Sequence, residues 1–283
     1  MDQVTVFTHR RVEQTAHCLE QLVAVAREAG VRLRFDEEET EKHGLTASDV
    51  VEVNAEAIDD VKVSIVLGGD GSILKSLRRY ALTGVPTYGV NFGEVGFLAT
   101  IDPDDVEEGF RRALCGDFEV LKLPAIAIST DERELYAIND VSVHRKVGER
   151  VAQLSYGVGG EDVASVRCDG LVVSSPAGST GYNLANGGPV MAWGVEGFVV
   201  SFIAPHSMTA RALVVSPNDI LEVTNHSRGG GPVDIHVDGR PAAELDCERT
   251  LRARFVADVA CLAQEPNSSF YRRLREKFGR LST

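Results

Sequence analysis

Apolar residues follow two rhythms along this chain. In the first part, short β-type runs alternate with stretches whose apolar positions fall at helical spacing. Val4 to His9 reads as a strand; residues 11–29 then set Val12, Leu19, Leu22, Val23, Val25 and Ala26 along a helix that Gly30 stops. "VRLRF" (31–35) predicts a second strand, the acidic stretch Asp36 to Glu41 a solvated loop, and residues 47–58 a weak helix. Val63 to Leu67 is a continuous β-rich run, the pattern of a strand covered on both faces. A helix capped by Ser72 follows to about Leu82, then a strand in "PTYGVNF", then a helix over 103–115 with proline and acids in its first turn. Strands alternating with helices predict a parallel α/β sheet.

The second rhythm runs from about Phe118 to Ala263. Short β-type segments such as "FEVLKLPAIAI", "ELYAINDVSVH", "VAQLSYGV", "GFVVSFIA" and "PVDIHVDG" are separated by turn signals, including Gly159 to Asp162 and Gly229 to Pro232. This half reads as all-β. The tail "NSSFYRRLREKF" (267–278) is helical and basic and is expected to pack back onto the first domain.

Composition narrows the function classes. At 283 residues, 43% hydrophobic and 25% charged, the chain has the make-up of a soluble globular protein with a sizeable core. No apolar run reaches the roughly 18 residues of a membrane span, and "VTVFTH" near the start predicts no leader. The five cysteines are scattered, without CxxC spacing, so no disulfide framework or zinc site is expected; a reducing cytoplasm suits them. A net charge of −13 argues against nucleic-acid binding. Six of the 29 basic residues are lysine. A lysine-poor acidic surface suits a salty cytosol, where screening relieves self-repulsion, and equally describes an ordinary acidic protein.

Candidate chemistry begins at "VSIVLGGDGSILKSL" (63–77). Gly68, Gly69, Asp70, Gly71 and Ser72 join a buried strand to a helix, where ligands of open α/β sheets bind. Glycines let a backbone approach phosphate with its N–H groups exposed. The run is neither Walker A nor GxGxxG. A carboxylate among phosphate-binding amides can hold magnesium or take a proton from an attacking hydroxyl, both features of phosphoryl transfer to an alcohol. Taken alone, an Asp-Gly pair reads as an Asx-type turn; the two preceding glycines and the helix start shift it towards function. Lys75, one turn on, can reach a phosphate or sit in solvent.

GGDG before serine or threonine resembles NAD kinases, diacylglycerol and sphingosine-type lipid kinases, and phosphofructokinases. "NFGEVGFLAT" (91–100), "AINDVSVHR" (137–145), "RCDGLVVSSPAGSTGYNLANGGPV" (167–190), "APHSMTARALVVSP" (204–217) and "HVDGR" (236–240) are similar, in order, to segments of NAD kinases. In "AINDVSVHR" an amide beside an acid can read adenine and hold ribose hydroxyls; alone, the pair reads as a polar strand end. Ser72, Ala177, Gly181 and Cys168 depart from the family pattern, Ala177 and Gly181 within the presumed adenine loop.

The resemblance implies an α/β N-terminal domain with a Rossmann-like parallel sheet, over 1–117 with the tail 263–283, and a β-rich domain over 118–262 for NAD binding and oligomerisation. This is the NAD kinase/diacylglycerol kinase-like fold, with its site in the cleft. It implies transfer of a phosphoryl group from ATP, or polyphosphate, to the 2′-hydroxyl of the adenosine ribose of NAD. Asp70 is the implied general base. Gly68, Gly69, Gly71, Ser72, Lys75 and Asn91 are implied on the phosphates, with magnesium arriving on ATP and no metal held by protein alone. Asn139 and Asp140 are implied on adenosine, and Phe97, Thr180, Gly181 and Tyr182 around adenine. Asp169 is implied at the nicotinamide end and Arg167 on phosphate; Asn183, Leu184, Ala185 and Arg240 complete the implied NAD site. His206 reads as structural. A dimer or tetramer is expected, with no nucleic-acid or membrane partner. A lipid kinase is the alternative enzyme, though the Thr180–Tyr182 block has no role there. A nucleotide-sensing module without turnover is the alternative outside enzymes, and retention of Asp70 speaks against it. A phosphofructokinase would need a second α/β half.

Overall fold

A computed structural model describes residues 1–92, 96–101, 106–130, 133–227, 231–266 and 268–279. The chain divides into two units, residues 1–122 with 260 onward, and residues 123–259.

The first unit opens with β1 (Gln3–Thr8) and α1 (Val12–Ala29), which Gly30 ends in the left-handed conformation at φ 65°. Then come β2 (Arg32–Arg34), α2 (Glu37–His43), β3 (Val51–Glu52), β4 (Val63–Leu67), α3 (Asp70–Arg79), β5 (Pro86–Val90) and α4 (Val106–Cys115). The proline and acids expected in the first turn of the 103–115 helix lie outside the described residues. All strand pairs here are parallel, in the order β5-β4-β1-β2-β3. The chain builds outward from β1 on one side and from β4 on the other. The glycine turn after β4 therefore stands at a reversal of strand order, where open α/β sheets bind ligands. β4 is buried at every position, as its unbroken apolar run requires.

The second unit takes up most of β6 (Glu119–Ser129) and continues with β7 (Glu134–Ala137), β8 (Asp140–Arg145), β9 (Ala152–Val158), β10 (Glu161–Cys168) and β11 (Gly170–Ser174). A 3₁₀ turn (Ala177–Thr180) and α5 (Tyr182–Ala185) follow, then β12 (Phe198–Ile203), β13 (Leu213–Val215), β14 (Ile220–Asn225), β15 (Val233–Val237), β16 (Arg240–Leu245) and β17 (Thr250–Gln264). One antiparallel sheet has the order β13-β12-β11-β8-β15-β16; β10, β9, β14 and the start of β17 form another antiparallel array. Alternate residues of both arrays, such as Val141 and Val143, Leu171 and Val173, Leu154 and Tyr156, and Leu221 and Val223, share one core. The last residues of β17, from Ala260 on, belong to the first unit, where Cys261 and Leu262 pair parallel with β5, and α6 (Phe270–Phe278) follows. A parallel α/β unit and an antiparallel β-rich unit are the fold class expected from the two rhythms.

Local expectations fail at three places. The acidic stretch from Asp36 is the helix α2: Asp36 accepts the Glu39 N–H at 2.8 Å, and Gly44 closes the helix at φ 58°. One of its acids is a core residue. Glu39 is 1% exposed, accepts from the Thr8 hydroxyl at 2.7 Å and pairs with Lys42 at 2.7 Å, while the His43 ring lies 2.7 Å from the same hydroxyl. Residues 47–58 contain β3 instead of a helix, because Val51 pairs with Leu33 at the sheet edge. Ser72 does not cap α3: Gly69 stands at the cap and Asp70 is the first helical residue.

Burial holds His43 below its ordinary value near 6.5, with Lys42 lowering it further and Glu39 raising it. A histidine depressed in the folded state contributes stability above its unfolded value, lost as pH falls through the folded one. Melting temperature is thus expected to drop below about pH 6.5, and more steeply than in His43→Gln. Glu39→Ala, which leaves Lys42 with the Thr8 carbonyl but without its counter-charge, is expected to cost about 3 kcal/mol in denaturant melts at pH 7. A neutral Glu39→Ala would show the ion pair to be dispensable.

Candidate active site

Three glycines surround Asp70 and differ in what they face. A Cβ on Gly68 would lie 2.8 Å from the Ser72 side chain, whereas a Cβ on Gly69 or Gly71 would meet nothing within 4 Å. Neither Gly69 nor Gly71 has a positive φ. Neither packing nor backbone conformation calls for glycine at these two positions, so the space beside them is open to an incoming group.

The Asp70 carboxylate answers the Asx-turn alternative directly. Its oxygens accept the N–H groups of Phe97 at 2.8 Å and Leu98 at 3.1 Å, far along the chain. Gly96 allows this approach, since a Cβ there would fall 2.1 Å from an Asp70 oxygen. The "GFL" of "NFGEVGFLAT" is thereby explained by its backbone; Gly93, Glu94 and Val95 lie outside the described residues. The loop is tied down on its other side. Thr100 donates its hydroxyl to the Ala263 carbonyl at 2.7 Å and accepts the Gly89 N–H at 3.1 Å, and the buried Asn91 donates its N–H to Ile101.

Two residues expected near the nucleotide have other neighbours. Phe97 is 3% exposed, its ring 6.0 Å from Phe270 and 6.1 Å from Phe278 with the Lys277 ammonium 4.7 Å from its centre, so it presents backbone rather than ring to its surroundings. Lys75 is paired with Glu38 at 2.7 Å, which holds the Glu38 carboxyl below its usual range, and lies over the Phe7 ring.

In the second unit the predicted residues gather around one turn. Asp238 accepts the N–H groups of Ile138 at 3.2 Å, Asn139 at 2.7 Å and Asp140 at 3.2 Å. This carboxylate, in the "HVDGR" segment, fixes the Asn139–Asp140 corner. Asp238 and Gly239 have φ of 49° and 73°, the two-residue hairpin geometry that Asp-Gly favours between β15 and β16. The 174–178 loop closes on the same corner. Ser175 donates its N–H to the Asn139 carbonyl at 2.9 Å and its hydroxyl to the Ile138 carbonyl at 2.6 Å, and a Cβ on Gly178 would lie 2.2 Å from the Asn139 carbonyl oxygen. Asp140 is buried, and burial together with the Asp238 charge pushes its carboxyl up to about 7.

Tyr182 stands 37% exposed over this region, with one ring face stacked on His144 (5.7 Å, 14°), which meets His236 edge-on at 5.1 Å. Thr180, Gly181, Leu184 and Ala185 all keep some exposure. Asn183 does not. It is fully buried and its amide donates to the carbonyls of Ser179 and Pro189, each at 2.9 Å, so it ties the loop together, while its Oδ1 is buried without a hydrogen-bond partner among the described residues. Asp169 is ion-paired with Arg145, Arg167 and Arg240 are exposed, and His206 donates its N–H to the Arg167 carbonyl. Sequence reasoning passed over Gly96, Asp238 and Gly178 as site residues. Each lay in a quoted motif or beside one, and its job is a backbone contact that spacing alone does not reveal.

Together these features define a nucleotide-handling protein: a glycine turn with a carboxylate at a helix start in an α/β unit, and an amide–acid corner under a small-residue loop in a β-rich unit. The ATP-NAD kinase N-terminal domain model matches residues 2–118, and the ATP-NAD kinase C-terminal domain model matches residues 138–255. The chain belongs to the ATP-NAD kinase family. The NAD kinase of Gemmatimonas aurantiaca is 34% identical over 225 residues, covering 77% of this chain and 78% of that protein. That of Heliobacterium modesticaldum is 35% identical over 219 residues, covering 75% and 77%. Among solved structures, yeast NADH kinase complexed with NADH superposes with a TM-score of 0.87 at 18% identity, over 100% of this chain and 89% of that one. An NAD kinase from Archaeoglobus fulgidus in complex with ATP gives 0.74 at 23% identity, over 99% and 98%. At those identities the structures speak for the fold.

Gly178→Ala is expected to push the Asn139 carbonyl aside and destabilise the protein by about 1–3 kcal/mol in a denaturant melt. Unchanged stability would mean that the corner tolerates displacement.

Proposed function

We propose that the chain transfers the γ-phosphoryl group of ATP to the 2′-hydroxyl of the adenosine ribose of NAD, giving NADP. Family membership supports the reaction class. The observation within this chain that carries the reading is Asp70, the first residue of α3, flanked by two glycines with no protein atom near their Cβ positions.

A ribose hydroxyl is a weak nucleophile at neutral pH, and a positioned base contributes roughly 10²–10⁴-fold. Asp70 serves as that base. A carboxylate offers about four lone-pair sites, and the two loop amides occupy one on each oxygen, leaving the others for the incoming O–H. As the 2′-oxygen bonds to phosphorus, its proton passes to Asp70, and the β–γ bridging oxygen leaves with ADP. The Gly68 N–H is taken by the Val90 carbonyl, and the N–H groups of residues 69–71 at the start of α3 favour the negative phosphates. Lys75 joins them by exchanging Glu38 for phosphate. Asp140 accepts ribose hydroxyls and Asn139 reads adenine, with Tyr182 offering its exposed face. Among the described residues no group of three His, Cys, Asp or Glu side chains is placed to hold a metal ion. Magnesium would be held through the ATP phosphates and would neutralise part of their charge.

The structures solved with NADH and with ATP bound support a dinucleotide acceptor and ATP as donor. The absence of a disulfide among the described cysteines fits a cytoplasmic enzyme. No helix among the described residues is long and apolar enough to cross a membrane. Self-association to a dimer or tetramer is the family expectation.

A coupled assay for NADP, run with ATP and with polyphosphate, tests the reading. Asp70→Asn is expected to lower turnover at least a hundredfold while NAD still binds; a fully active variant would remove the base assignment. A second test follows from Asp140. With its carboxyl raised to about 7 and its ionised form needed to accept ribose O–H groups, NAD affinity is expected to weaken as pH falls from 8 to 6. Calorimetry should show that slope in the wild type and not in Asp140→Asn. Equal slopes would place the titrating group elsewhere.

A further inference from the structure

Asp70 is held by a loop, and the loop is held by the C-terminal helix. Arg273 of α6 donates one guanidinium nitrogen to the Phe97 carbonyl at 2.9 Å and, through the same nitrogen, to the Ala99 carbonyl; its second nitrogen reaches the Ser268 hydroxyl at 3.2 Å. The N–H groups of Phe97 and Leu98 in that same stretch are those that bind Asp70. Carbonyls of the loop therefore point to Arg273 while its amides point to the carboxylate. Phe270, 7% exposed, and Phe278 pack the Phe97 ring from the same helix, and Lys277 lies over it. The Ser269 hydroxyl accepts the Arg272 N–H at 3.2 Å and starts the helix in register for this contact.

We propose that Arg273 is a positioning residue for phosphoryl transfer: by fixing the carbonyls of Phe97 and Ala99 it aims the Phe97 and Leu98 amides at Asp70 and so sets the orientation of the base. The inference rests on the NAD kinase reading of Asp70. A guanidinium fork suits the task because it is planar, permanently charged and able to serve several acceptors in one geometry. A lysine retains charge but not the fork. Misplacing a reacting group by about an ångström costs on the order of a hundredfold in rate, so a loosened loop acts on turnover before it acts on binding.

The test uses the full chain with Arg273→Met and Arg273→Lys, measuring kcat and KM for NAD with ATP and magnesium, melting temperature, and hydrogen exchange of the Phe97 and Leu98 amides. The methionine variant is expected to lose about tenfold to a hundredfold in kcat with KM for NAD within about twofold, and to exchange those two amides at least tenfold faster. Arg273→Lys is expected to fall between it and wild type, and millimolar guanidinium to restore part of the methionine variant's kcat. Wild-type kcat in the folded methionine variant, a loss matching only its unfolded fraction, or unchanged protection of the two amides would each overturn the proposal. Should Arg273→Met fail to fold, the lysine variant carries the same readouts. A wild type that makes no NADP would instead sink the kinase reading, and amide exchange would still decide whether Arg273 orders the loop.

Discussion

Two hydrogen bonds from the Phe97 and Leu98 amides to the Asp70 carboxylate are the constraint on which the site in the first unit depends. A carboxylate at the first position of a helix already enjoys the favourable end of the helix dipole, but that interaction does not fix its rotation. Amides from a second chain segment do, because each oxygen is claimed separately. Gly96 is the steric condition for the contact, and the bonds of Thr100 to Gly89 and Ala263 stop the loop from drifting. The two motifs of the first unit, GGDG and the later GFL, are therefore one physical object.

The second unit solves the same problem with the roles exchanged. There the carboxylate of Asp238 does the holding, and the backbone N–H groups of Ile138, Asn139 and Asp140 are what is held. Its charge has a consequence next door, since it joins burial in raising the Asp140 carboxyl to about 7. The corner is tightly packed because Gly178 lets the 174–178 loop sit directly on the Asn139 carbonyl. In both units an acid is locked to backbone amides beside a glycine that makes room.

What the sequence revealed was what local pattern encodes. The run Val63 to Ser72 announces a buried strand, a turn and a helix because every determinant lies within ten residues, and the change from helical to alternating spacing near residue 118 separates a parallel from an antiparallel sheet. What it concealed depends on partners far away. Glu39 looks like one more solvated acid until Thr8 and Lys42 meet it inside the core. Phe97 looks like a ring for adenine until α6, some 170 residues on, covers it. Asn183 reads as a ligand contact, and only the fold shows its amide tying Ser179 to Pro189. Arg273 lies in a tail legible only as helical and basic, and its partners sit far back along the chain.

The central claim is that Asp70, aimed by the 97–98 amides, takes the proton of the adenosine 2′-hydroxyl. The most direct measurement is an experimental structure of the chain with NAD and a non-hydrolysable ATP analogue bound. It is predicted to place an Asp70 oxygen within hydrogen-bond reach of the ribose 2′-oxygen, directly or through one water, with the Phe97 and Leu98 contacts intact. An Asp70 carboxylate turned away from the ribose, beyond the reach of a single bridging water, would contradict the account.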